Sequence, residues 1–83
     1  MNPSAATDNL LRVAAVQMNS RDDKAANLET ALALIDRAAG AGARLIALPE
    51  VWSYLGPAEG ERPNAEPIPG PTMDRLADRA RRH

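Results

Sequence analysis

Two largely apolar runs frame this chain. The first is Leu11-Arg12-Val13-Ala14-Ala15-Val16-Gln17-Met18, and the second is Leu45-Ile46-Ala47-Leu48. Neither alternates apolar and polar positions, as a strand with one wet face would. Val13 and Ala15 fall on one side, and Ala14, Val16 and Met18 on the other, the pattern of strands covered on both faces. Between them the period changes. Leu28, Ala31, Leu32, Ile35, Ala38 and Ala39 recur at three- and four-residue steps, a single helical stripe. Lys24, Glu29, Asp36 and Arg37 lie mainly off that stripe.

The punctuation agrees with this division. Asn19 to Asp23 end the first run with turn residues, and Ser20 or Asp22 is placed to cap a helix from about Asp22 to Ala41. Asp22 and Asp23 also put negative charge at the positive end of its dipole. Gly42 is the natural residue to end the helix in left-handed backbone. Strand, helix and strand then predict a βαβ unit with parallel strands and a right-handed crossover. Pro49 donates no ladder hydrogen bond and holds Leu48 extended, so the second strand ends there. Glu50 is thereby delivered just beyond the strand's carboxyl end.

The rest is less regular. Val51 to Leu55 reads as a short continuation or a turn, and carries Trp52 and Tyr54, which are the chain's one Trp and one Tyr. Residues 56–71 hold five prolines among Gly and Glu, the composition of a long irregular surface segment. Thr72 can cap a last helix from Met73 onward, with Met73, Leu76, Ala77 and Ala80 on one face. Residues 1–9 are polar and predict a disordered tail, leaving 10–83 as one domain or part of one.

Composition narrows the functional classes. The chain has 83 residues, and one this short buries only about 60% of its unfolded surface. Aromatics are 2%, with no Phe, so the apolar side chains are mostly small and each buries little area. The net charge of −1 with mixed signs gives no reason to expect nucleic acid or a membrane as partner. Cys is 0, which excludes a disulfide framework, a thiolate metal site and a thiol nucleophile within these residues. No leader pattern and no apolar stretch of about 18 residues is present, so a cytoplasmic location is expected. No phosphate loop, serine elbow or metal-ligand pattern is present either.

Glu50 is the candidate with chemistry. In open parallel α/β sheets, ligands bind outside the carboxyl ends of the strands. Backed by an apolar strand and flanked by Val51 and Trp52, Glu50 is expected to be partly desolvated, which raises a carboxylate toward the range of a general base. The competing account is an ordinary loop glutamate paired with an arginine. Trp52 and Tyr54 either line a pocket or pack on the βαβ unit. Gln17 either points into a site or satisfies a backbone group. Arg79, Arg81 and Arg82 suit the negative end of the last helix, and His83 is a C-terminal cation or simply the final residue.

Arg12-Val13-Ala14-Ala15-Val16-Gln17-Met18, then Asn27, then Gly42-Ala43-Arg44-Leu45-Ile46-Ala47-Leu48-Pro49-Glu50 resembles the N-terminus of the nitrilase, or carbon–nitrogen hydrolase, superfamily. Val51, Tyr54-Leu55-Gly56 and Pro67-Ile68-Pro69-Gly70-Pro71 extend the likeness, which covers residues 11–83. The Gln-Met-Asn-Ser and Tyr-Leu-Gly segments look most like the amidase branch that acts on deaminated glutathione. The resemblance implies an α-β-β-α sandwich, of which this chain would be an incomplete βαβ-loop-α piece. It implies hydrolysis of a non-peptide carbon–nitrogen bond in a small amide or nitrile by a Glu, a Lys and a Cys, with no cofactor or metal. It also implies a homo-oligomer for the complete enzyme.

Glu50 alone maps onto that triad. Lys24 lies upstream of Glu50 and does not match the family's lysine, which follows the glutamate. In the family the last helix leads through a His-Gly-like turn into another strand, and here the sequence halts at His83. A fragment of a longer enzyme, inactive alone, is therefore expected. The alternative is a non-catalytic module that pairs its exposed sheet with a partner.

Overall fold

The structure is a computed structural model that describes residues 10–83, so the tail expected over residues 1–9 lies outside the described residues. The elements are β1 (Val13–Ala15), α1 (Lys24–Gly40) and β2 (Leu45–Ala47), then a 3₁₀ turn (Ala58–Gly60), α2 (Glu61–Asn64) and α3 (Pro71–Arg82). β1 and β2 form a two-stranded parallel sheet with Val13 opposite Leu45, Ala14 opposite Ile46 and Ala15 opposite Ala47. The Val16 amide continues the ladder to the Ala47 carbonyl at 2.9 Å. This is an α/β architecture, and the βαβ unit is the one the apolar runs predict.

The helix between the strands begins and ends for local reasons. Asp23 is its N-cap, in extended backbone, and its carboxylate accepts the Ala26 amide at 3.0 Å. Neither Ser20 nor Asp22 takes that role, because Ser20 is occupied elsewhere and Asp23 sits three residues before Ala26. At the other end Gly42 has φ +97, and its amide reaches the Ala39 carbonyl at 2.9 Å while the Ala43 amide reaches Ala38 at 3.1 Å. That pair of bonds is the Schellman arrangement, which needs a residue free to turn left-handed. Arg12 completes the end by donating from Nη1 to the Ala41 carbonyl at 2.9 Å.

The core is small. Val16, Ala31 and Leu32 are its buried apolar residues among those described, and Leu28 and Ile35 are half-buried along the expected stripe. The two-sided covering expected for the strands is not present. Ala14 and Ile46 face the helices, whereas Val13 and Leu45 are 59% and 58% exposed and Ala15 and Ala47 are exposed beside them. The physical reason is a lack of layers: the packed elements lie on one face of the sheet, and these residues supply nothing to cover the other.

α3 packs against α1 largely through charge. Arg75 pairs with Glu29 at 3.1 Å, and Arg79 and His83 both reach Asp36, at 2.9 and 3.1 Å. The hydrogen bond from His83, ahead of that from Arg79, holds the Asp36 carboxyl below its usual range. Arg82 pairs with Asp78 one turn back on α3. The basic cluster is thus largely used within the fold. Of the apolar face expected on α3, Leu76 and Ala77 are half-buried, while Met73 and Ala80 are exposed.

Two expectations need correction. The 56–71 segment is not wholly irregular, since the 3₁₀ turn and α2 lie within it. And α3 begins at Pro71, not Met73, with Gly70 at the N-cap and no side-chain bond from the cap itself. Proline is well suited to the first helical position, where its missing N–H costs nothing.

Candidate functional site

β2 runs from Leu45 to Ala47, and Leu48 and Pro49 carry the chain, half-buried, past its carboxyl end to Glu50. Glu50 is exposed. The desolvation expected from its apolar neighbours is therefore absent: Val51 is itself 58% exposed, and Trp52 is only half-buried. The bland alternative is not realised either. Acidic partners in the ion pairs among the described residues are Glu66, Glu29, Asp36 and Asp78, and Glu50 is not one of them. Glu50 stands at a strand end as an exposed carboxylate without an arginine.

The backbone just after it is unusual. Val51 has φ +55, the one non-glycine residue with positive φ among those described. A β-branched residue in that region is a genuine outlier, because its Cβ crowds the following carbonyl. Such conformations cost on the order of 1–3 kcal/mol and persist only where the surroundings enforce them.

Those surroundings are visible. Ser20 Oγ donates to the Trp52 carbonyl at 2.8 Å. Asn27 Nδ2 donates to the Ser53 carbonyl at 2.9 Å and to the Arg21 carbonyl at 2.7 Å. Asn27 Oδ1 accepts the Arg21 amide at 3.1 Å, and the Leu55 amide donates to the Arg21 carbonyl at 2.9 Å. Asn27 is 5% exposed, the one buried polar residue among those described, and its amide group is used at both ends. Buried polar groups are tolerated when satisfied in this way. The β1–α1 loop is thus laced to the segment that follows Glu50. In the sequence Asn27 stands out only within the family resemblance, and nothing there signals this lacing.

Tyr54 packs rather than lining a cleft. Its hydroxyl donates to the Pro57 carbonyl at 2.8 Å and lies so close to Gly60 that a Cβ there would fall 2.0 Å away. Burial, with Asp22, Glu59 and Glu61 nearby, pushes the phenol above its ordinary range. Trp52 does line a cleft of about 360 Å³, together with Lys24, Glu66, Thr72, Met73 and Leu76. Gln17 is exposed and does not line that cleft.

Glu66 organises the floor of that cleft, a role that sequence reasoning missed. It pairs with Lys24, which also donates to the Asn64 carbonyl at 2.6 Å. Its other contacts are the Thr72 amide at 2.6 Å and the Thr72 hydroxyl at 2.8 Å. Glu66 therefore caps α3 in place of the expected Thr72, which donates rather than accepts. The Lys24 hydrogen bond first, then the two from Thr72, hold its carboxyl at about 2, well below the usual 4.5. The signal available was the spacing Glu66 to Thr72, an acid placed before a proline-led helix. Lys24, expected to be unrelated to catalysis, is committed to this ion pair. No cluster of metal-binding side chains forms among the described residues.

A parallel βαβ unit with a carboxylate just past the carboxyl end of a strand is the arrangement around which open α/β enzymes build their sites. The sequence makes the class specific: the family model for carbon–nitrogen hydrolase matches residues 12–83, and the chain belongs to that family. No solved structure matches the chain. No helix among the described residues is long and apolar enough to cross a membrane.

Proposed function

We propose that this chain contributes the general base, Glu50, to an amidase-type carbon–nitrogen hydrolase whose lysine and cysteine come from outside these 83 residues. The observation that carries this is the position of Glu50, next after Pro49 at the carboxyl end of β2, in a segment matched to the family. Glu50 takes the thiol proton as the sulfur attacks the carbonyl or nitrile carbon of a small substrate. For an amide, that proton passes to the leaving nitrogen, ammonia departs, and a thioester remains. Water, deprotonated by the same carboxylate, then releases the acid and restores the thiol. Lysine stabilises the charge that develops on the substrate. Desolvation of Glu50 comes from the residues that complete the site, since this segment leaves it exposed. The proposal extends to the branch acting on deaminated glutathione, to a homo-oligomeric enzyme and to a cytoplasmic location.

The test is ammonia release by the assembled hydrolase, meaning this chain together with the residues that supply lysine and cysteine. Glu50→Gln should abolish turnover while leaving the fold intact. The 83-residue chain alone should release none, because most of the rate enhancement depends on the nucleophile. Turnover by the isolated chain, or an active Glu50→Gln enzyme, would sink the proposal.

A second reading is favoured by the bare sheet face of Val13, Ala15, Leu45 and Ala47: a non-catalytic module that docks this sheet on a partner. A stable complex that forms with a protein lacking the lysine and cysteine would support it over the first.

A further inference from the structure

Glu50 has no side-chain partner in the ion-pair network of the described residues, so its direction is set by its backbone. On one side, β2 fixes that backbone through Ala47. On the other, Trp52, Ser53 and Leu55 are tied to the β1–α1 loop by Ser20, Asn27 and Arg21. The chain must join these two anchors through Leu48, Pro49, Glu50 and Val51. It does so with Val51 at φ +55, a conformation that valine avoids when left to itself. The strained residue is thus the hinge point of the only short segment that aims the candidate base.

We propose that Val51 is a positioning residue for Glu50, held in left-handed backbone by the Ser20–Asn27–Arg21 clamp on residues 52–55. This rests on the assignment of Glu50 as general base. The clamp supplies what the valine side chain opposes. When the clamp is loosened, Val51 relaxes toward negative φ and carries the Glu50 carboxylate away from the reacting thiol. A misplacement of about 1 Å at such a group is enough to lower turnover by up to roughly 100-fold.

The experiment is a double-mutant comparison in the assembled hydrolase, at fixed protein concentration. Asn27→Ala, which removes the buried amide, should lower kcat by roughly tenfold or more and change KM less. Val51→Gly, in which glycine takes positive φ freely, is the reference against which the double variant is read. The combination Val51→Gly with Asn27→Ala should recover much of the lost kcat, because an unstrained turn no longer needs the clamp. That rescue is the decisive readout: a merely structural Asn27 would gain nothing from glycine at position 51. Ser20→Ala removes one peripheral bond of the clamp and serves if Asn27→Ala does not fold, with a smaller loss that Val51→Gly again rescues.

Failure is separable from failure of the underlying assignment. If Glu50→Gln is inactive but Asn27→Ala or Ser20→Ala keeps normal kcat, or its loss is not rescued, the clamp proposal is overturned while Glu50 stands as base. If Glu50→Gln is active, both fall. A three-bond amide–Hα coupling that places Val51 at negative φ would also overturn the clamp proposal.

Discussion

At the level of single residues, the sequence told more about where the chain turns than about how each turn is held. Gly42 was legible because a helix stripe ended just before it, and its φ of +97 confirms the reason for glycine. Asn27 and Val51 were not legible. Nothing in a one-dimensional pattern says that an asparagine's amide will meet carbonyls 6 and 26 positions away, or that a valine will be forced left-handed between two anchors. Glu50 was located by the apolar run and by Pro49. Its exposure was not foreseen, because apolar sequence neighbours are not the same as covering layers. A test at this scale is Gly42→Ala. A Cβ there would sit 2.8 Å from Arg12 Nη1, displacing the side chain that caps Ala41, and left-handed backbone costs an ordinary residue about 1–2 kcal/mol. Equilibrium urea unfolding at fixed protein concentration should show a loss of that size. An unchanged midpoint would mean that the Schellman turn contributes little.

At the level of elements, both strands and the long helix were readable, with ends off by at most three residues. Short strands and helix ends depend on individual hydrogen bonds that periodicity does not encode. The start of α3 illustrates the point. Thr72 looked like the cap on sequence preference, yet Glu66, six residues earlier, accepts the Thr72 amide and pairs with Lys24 of α1. One carboxylate therefore ties the starts of α1 and α3 together, beside the Asn64 carbonyl that also accepts from Lys24.

This tie has a pH signature. Glu66 titrates at about 2 in the fold and near 4.5 when its partners are gone, so between those values the unfolded chain binds more protons. The stability it contributes is present above about pH 4.5 and is lost as pH falls toward 2. The Thr72 amide shift should titrate with a midpoint near 2, and helicity by far-ultraviolet circular dichroism should decline over the same acid range. Glu66→Gln should remove the Thr72 titration and flatten that decline. A Thr72 amide that titrates near 4.5 would show that the ion pair does not hold in solution.

At the level of the whole molecule, the imbalance between buried and exposed apolar surface governs behaviour. Among the described residues Val16, Ala31 and Leu32 are the buried apolar ones, whereas Leu10, Leu11, Val13, Leu45, Val51, Leu55 and Ile68 are each more than half exposed. Val13 and Leu45 lie directly opposite each other in the sheet, so part of this surface is one contiguous face rather than scattered positions. A parallel sheet is stable when both faces are covered, and exposed apolar patches of this kind drive association. Burial contributes about 25 cal/mol per Å² of apolar surface, and a core with so few buried side chains among the described residues supplies little of it. The 83-residue chain on its own should therefore self-associate or stay loosely packed. Sedimentation velocity should show a weight-average mass that rises with concentration, and a hydrophobic dye should bind at neutral pH. Val13→Lys with Leu45→Glu places opposite charges across the sheet on its bare face, away from α1 and the Glu50 turn. That pair should shift the chain toward monomer and reduce dye binding with little change in helicity. If the unmodified chain instead sediments as a monomer and melts in one sharp, concentration-independent transition, the bare face does not govern its state, and the one-sided core is sufficient.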